Sequence, residues 1–426
     1  MSGPGRVLLA MAVAAVVAAA RPDAAGAFSV LAHQAVVDRS WDAAIMPALQ
    51  RRFPLGDPAR ARAFAYGGSH VADLGYFPLG SELFTELLHY VRTGDFIANL
   101  IASARDANEY AFALGALADW VADTTGHPEA TNRVVAELYP ELREEFGDEV
   151  TYAEDQGSHL QTEFRFDVFQ LSRVKGGRDL FHHALQFEVA TRALDEAMRS
   201  TYGLGLDDLF TSTDAAVLTY RYAFRGLIHE ATGIAWQLYE ADIKKLDPEM
   251  TPAGFVYDLS REDFETEFGK VYAEPGYFSR FFAFLVKLVP DVGPLRRSVL
   301  KPLPPEARER YVAALDHAVA RYRSMVATAG RRKALELPPQ NLDTAEPTRF
   351  GEYPPADEAY AALVEKLADE PSRPPPPALR ADIERFYAER PRGVARDDEG
   401  RELDAALTRL AIAPGTGNVT QGTRTK

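Results

Sequence analysis

The sequence predicts an all-α fold, and three observations carry that prediction. Apolar residues recur at helical spacing over residues 104–125, 157–173, 180–202 and 213–246. Runs of β-branched residues alternating with polar ones, the mark of a strand, are missing from the sequence. Helix stop signals fall where a period ends, as with Gly126 and Pro128 after Thr125. The expected architecture is a multi-helix bundle with a helical extension and a Pro-rich tail.

Residues 1–27 read as a signal peptide. Arg6 supplies a positive start, residues 7–20 are continuously apolar, and Arg21, Pro22 and Asp23 end the run. That stretch is short for a membrane span, although an uncleaved anchor is the alternative. Ala25, Gly26 and Ala27 form a small-residue cleavage site, so the mature chain is expected to begin at Phe28 and to be secreted or periplasmic. A helical domain over 28–245 follows, then a helical extension over 250–335. The extension includes a helix at 304–328 and an apolar stretch at 281–289, which is broken by Lys287 and stopped by Pro290. From 336 to 426 proline becomes dense, as in Pro338, Pro339, Pro354, Pro355 and the run from Pro374 to Pro377. That region reads as extended linker carrying short helices at 357–369, 379–390 and 402–412, with a disordered end from 414.

Composition narrows the chemistry. A chain of 426 residues can bury a large core. It has no cysteine, so a metal would be held by His, Asp, Glu and backbone groups. The net charge is −15, and near −16 after cleavage, because Arg6 and Arg21 leave with only Asp23. That balance argues against long nucleic acid bound through a broad basic face. A phosphate headgroup at a cationic metal centre remains compatible with it.

The candidate ligands lie mostly between Phe28 and Glu163. Cleavage would give Phe28 a free amine, and with His33 five residues on, the pair can chelate a metal. Asp119, Asp123 and His127 are spaced i, i+4, i+8, so the two carboxylates share a helix face, with His127 where the chain leaves the helix. Their neighbours are Ala, Leu, Trp and Val. Acids buried there need a cationic partner; a solvent-facing stripe is the other reading. His159 and Glu163 form a second i, i+4 pair, with Asp155 and Asp167 on the same stripe. His89 sits among leucines, where a lone histidine is often only packing. Asp73 lies in a Gly-rich stretch, with His70 as a competing ligand three residues earlier. His182, His183, His229 and Glu230 read as structural. No phosphate-binding glycine loop, serine elbow or dinucleotide fingerprint is present.

In order and spacing these residues resemble the zinc-dependent phospholipase C/D family, which is related to fungal-type single-strand zinc nucleases. The resemblance covers roughly residues 28–170. It implies an all-α fold, up to three zinc ions and hydrolysis of phosphodiesters. Carried over, His127, His159 and Glu163 hold one zinc. His89, Asp119 and Asp123, with Asp73 close by, hold a second. The Phe28 amine and carbonyl, His33 and a bridging Asp123 hold a third. Asp73 is then the residue that orients or deprotonates the attacking water. The chain departs from the family pattern at Asp119, where relatives usually have His, and at Phe28, where they often have Trp.

The function expected from the sequence is therefore an exported zinc-dependent phosphodiester hydrolase of phospholipase type. Its substrate would be a phospholipid headgroup reached by transient contact with a membrane surface. A single-strand nuclease with the same metal core is one alternative. A non-catalytic envelope protein stapled by a structural metal is another. Open coordination positions facing a cleft favour catalysis, whereas a closed site favours the staple.

Overall fold

A computed structural model describes residues 29–54, 56–268, 301–329, 335–370, 373–388, 390 and 398–412. The signal segment with Phe28, the apolar stretch 281–289 and the tail from 414 lie outside the described residues. The fold is all-α: among the described residues the only extended pairing is an isolated bridge between Gln340 and Pro347. No described helix is long and apolar enough to cross a membrane.

The N-terminal half runs α1 (Val30–Ser40), α2 (Met46–Arg52), α3 (Pro58–Gly68), α4 (Glu82–Tyr90), α5 (Thr93–Ser103) and α6 (Ala107–Gly126). It continues through α7 (Asn132–Leu138), α8 (Pro140–Phe146), α9 (Gln156–Leu171), α10 (Arg178–Leu185) and α11 (Thr191–Tyr202). Then come α12 (Leu206–Leu209), α13 (Thr213–Leu246), α14 (Pro252–Phe255), α15 (Arg261–Phe268), α16 (Pro305–Ala329), α17 (Pro354–Ala368), α18 (Pro377–Ala388) and α19 (Asp398–Arg409).

Helix α6 is the axis of the molecule. Asp106 caps its start by accepting from the Asn108 and Glu109 amides, and every residue from Tyr110 to Gly126 is buried. A helix apolar all round needs neighbours on every side. Helix α3 supplies one, and the two backbones touch through glycine. A Cβ on Gly68 would lie 1.9 Å from the Phe112 carbonyl oxygen, and one on Gly115 would lie 2.0 Å from that of Ala65. Helix α16 covers another side, where Tyr322 donates to the Leu114 carbonyl at 2.8 Å. Helices α1 and α5 close the rest.

Three local expectations are corrected. Helix α6 does not stop at Gly126. It widens into a π turn over His127–Thr131 and runs on into α7, with the His127 amide still donating to Asp123. A π turn passes Pro128 without ending the helix, so the stop signal is absorbed as a bulge. Residues 180–202 are two helices, because the loop between them is pulled onto its neighbours. The Glu188 amide donates to Ala63 at 3.0 Å, and Arg221 donates to Leu185 and Phe187 carbonyls at 3.1 and 2.5 Å. Finally, residues 335–353 are packed rather than an extended linker. Leu342 is 1 % exposed and its amide donates to the His89 carbonyl at 3.0 Å. Beyond it α17 packs on α4, and α19 on α17.

Candidate metal centre

The eight candidate ligands reach the interior from six elements. His33 sits in the first turn of α1, whose start is capped by the Ser29 hydroxyl. A short 3-10 turn, Ala72–Tyr76, carries Asp73, and the Thr85 hydroxyl of α4 donates to its Ala72 carbonyl. His89 lies in the last turn of α4. Helix α6 presents Asp119 and Asp123, the π turn presents His127, and α9 presents His159 and Glu163. All eight residues are buried, none more than 4 % exposed.

Two groups of three have ligand atoms close enough for one cation: His33, Asp119 and Asp123, and His127, His159 and Glu163. The first is drawn together by His33. Its Nε2 lies 3.0 Å from Asp123 Oδ1 and its Nδ1 lies 3.2 Å from Asp119 Oδ1. In the second, His159 Nδ1 is 2.8 Å from Glu163 Oε1, and His127 Nε2 is 3.9 Å from the same oxygen. Asp123 Oδ1 also lies 3.4 Å from His127 Nε2, so this carboxylate stands between the two groups. Asp73 and His89 form a looser pair, 3.8 Å apart, beside them. Asp119 thus keeps company with His33, whereas the family pattern set it beside His89. Phe28, outside the described residues, has no placement here.

The electrostatics separate the groups. Burial disfavours the His33 imidazolium, but Asp123 and Asp119 outweigh it and hold His33 well above its ordinary value. Burial likewise pushes Asp123 up, yet His33 and His127 overcome it and hold that carboxyl below the usual range. Asp119 and Asp73 are raised, chiefly by burial. His89 is raised because Asp73 and Asp123 outweigh its burial. His159 goes the other way: burial lowers it to about 4, so its ring is neutral.

The donor set fits a borderline-hard divalent ion such as zinc. His89 Nδ1 faces the Thr85 carbonyl at 2.8 Å and so carries the proton, which leaves a lone pair at Nε2. His159 Nε2 faces the Asn132 amide oxygen at 3.0 Å, so its lone pair at Nδ1 points at the Glu163 carboxylate. A neutral imidazole lone pair against a carboxylate in a buried site calls for a cation. Among the described residues, His89 Nε2, His127 Nε2 and His159 Nδ1 are buried without a hydrogen-bond partner.

Two residues that the sequence did not bring forward belong to this centre. Asn132, at the start of α7, orients His159. Asp343 arrives from the Pro-rich region, 1 % exposed, with Oδ1 3.8 Å from His127 Nδ1. Its segment closes the centre from outside. The adjoining cavity, lined by Leu88, Thr93, Asp119, Trp120 and Leu342 among others, holds about 10 Å³, room for about one water.

The remaining sequence candidates lie elsewhere. His70 is caged by Phe187, Tyr220 and Phe224 at ring distances of 5.8, 6.0 and 5.2 Å, and burial lowers it to about 3. Asp155 caps α9 through the Ser158 amide. Asp167 accepts from the Leu31 amide at 2.8 Å, and burial raises it to about 7. His182 pairs with Glu267 and Tyr257, and His229 with the Tyr257 carbonyl, as structural contacts.

Comparison with known proteins places this region. Residues 32–211 match the family model described as zinc dependent phospholipase C. That family is one of hydrolases, and the match bears out the resemblance read from the ordered ligands. It spans α1 to α12 and stops well short of Asp343. No curated protein and no solved structure gives a significant match.

Proposed function

We propose that this chain is a zinc-dependent phosphodiester hydrolase of phospholipase C type, exported and processed to begin at Phe28. The observation that carries the reading is the pair of buried three-residue groups meeting at Asp123, inside the segment that matches the phospholipase family. Zinc bound by such residues supplies positive charge that neutralises a phosphodiester and brings the pKa of water down to roughly 7. His127, His159 and Glu163 would hold one ion. His33 with Asp119 and Asp123 would hold another, with the Phe28 amine added in the mature chain, and His89 with Asp73 would support a third. The Asp123 carboxylate stands beside both three-residue groups and would lend its charge to each. Asp73 orients the attacking water and accepts its proton at a carboxylate oxygen. The substrate is a phospholipid headgroup met at a membrane surface; the acidic chain offers little to long nucleic acid.

The complete burial of the ligands favours a second reading, a closed structural site. One experiment separates them. The purified mature protein, loaded with zinc, is given a chromogenic phosphocholine diester, phosphatidylcholine vesicles and single-stranded DNA. Chelator-sensitive hydrolysis of the lipid or diester supports the proposal. Cleavage of DNA alone favours the nuclease. Stable zinc without turnover favours the staple. Mass spectrometry of the exported chain tests the start at Phe28.

A further inference from the structure

We propose that Asp343 is a positioning residue of the metal centre, supplied by the C-terminal region to orient both histidines of the His127–His159–Glu163 group. The inference rests on the metal reading above and adds a residue 132 positions beyond the end of the family match.

The argument starts from how an imidazole binds a metal. One ring nitrogen offers its lone pair and the other carries a proton that needs an acceptor. That acceptor fixes the tautomer and the ring plane. For His127, Nε2 faces inward toward Asp123 and Glu163, while Nδ1 faces Asp343 Oδ1 at 3.8 Å. This oxygen is buried and, among the described residues, has no hydrogen-bond partner, so it can take the Nδ1 proton. The other oxygen of the same carboxylate is pinned. Tyr90 and Tyr353 donate to Oδ2 at 2.9 and 2.6 Å.

The backbone of Asp343 acts on the second histidine. Its carbonyl accepts from the Asn132 amide nitrogen at 2.9 Å. That bond decides which way the Asn132 amide faces, and the oxygen left over takes the His159 Nε2 proton at 3.0 Å. Asp343 therefore faces His127 across a 3.8 Å gap and acts on His159 through Asn132. The segment is held to the site at neighbouring points as well. Leu342 donates to the His89 carbonyl, and Thr93 donates to the Gln340 carbonyl at 2.8 Å.

The test uses full-length protein and zinc itself. Zinc affinity is measured by chelator competition for wild type, Asp343→Asn, Asp343→Ala and the control Asp382→Asn. Asp382 is a buried carboxylate of α18 bonded to Tyr360, away from the centre. Removing an outer partner of a ligand histidine costs about 10- to 100-fold in metal affinity. We expect Asp343→Ala to lose that much at one ion, Asp343→Asn to lose less, and the control to lose nothing. Unchanged affinity in Asp343→Ala at every ion would overturn the inference and leave the metal reading standing. A wild type that binds no zinc would overturn both. Nitrogen-15 NMR of histidine-labelled, zinc-loaded wild type needs no variant to fold. We expect His127 metallated at Nε2 with a slowly exchanging proton on Nδ1; metallation at Nδ1 would contradict the proposal.

Discussion

The two groups of the centre use similar residues and solve the problem of buried charge differently. In the first, one imidazole lies between two carboxylates, and those acids hold a proton on His33. A proton can therefore stand in for a metal there. In the second, His159 is neutral and turns a lone pair toward Glu163, so a proton cannot play that part near neutral pH. The three side chains of each group lie within the segment matched by the family, and the second also leans on Asp343, 132 residues beyond its end. The number of acids around an imidazole thus decides whether a metal site is also a proton site.

The change with the largest expected effect breaks the contrast altogether. Asp123 stands 3.0 Å from His33 and 3.4 Å from His127, so Asp123→Asn removes charge from both groups. It should release zinc from each. If several kcal/mol of transition-state stabilisation go with it, hydrolysis of a chromogenic phosphodiester falls by roughly 10³-fold or more. Zinc analysis and turnover on one purified sample would check this. Full metal and full activity in the variant would remove Asp123 from its joint role.

His159→Ala should instead divide the groups. It removes a ligand from the second and leaves the His33 group intact, so zinc content should fall by one ion while activity is lost. Elemental analysis after dialysis against buffered zinc gives the count.

Acidity should divide them too, with a smaller effect. Zinc at the first group must displace the His33 proton, so its affinity should rise roughly tenfold per pH unit until the raised pKa is passed. Between pH 6 and 8 the affinity at that ion should therefore rise with pH. At the second group His159, lowered to about 4, contributes no such dependence over this range. Linkage gives the matching stability effect in the metal-free chain. Because the folded pKa of His33 lies above its unfolded value, its contribution is fully present below about 6.5. It is lost as pH rises through the raised value. Calorimetric zinc titrations and melts of the metal-free protein follow the two effects.

Much of this arrangement was legible in sequence, for a physical reason. Asp119, Asp123 and His127, and His159 with Glu163, are local pairs. Helical periodicity alone sets their faces, even though a π turn replaces the helix end expected at Gly126. Asp343 was not legible, because 211 residues separate it from Asn132 and only the tertiary fold joins them. It lies in the proline-dense region that reads as linker. The one local hint was Leu342, an apolar residue in that polar stretch, which the fold buries.

Asp119→His should have the smallest effect and sharpen the comparison most. It takes one of the two carboxylates from His33 and brings in an imidazole. The His33 pKa then drops and zinc meets less competition from the proton. Activity at pH 8 should stay within about threefold of wild type or rise, and the pH at which zinc binds half-maximally should shift down by about one unit. An unshifted zinc titration would mean that Asp119 does not hold the His33 proton.

The most direct test of the central claim is the number of zinc ions per chain. It would be measured by mass spectrometric elemental analysis of wild-type protein stripped with chelator and reloaded at pH 8. Two distinct groups predict at least two ions, with one of them held less tightly at pH 6 than at pH 8. A chain that takes up one ion or none at pH 8 would contradict the two-group centre.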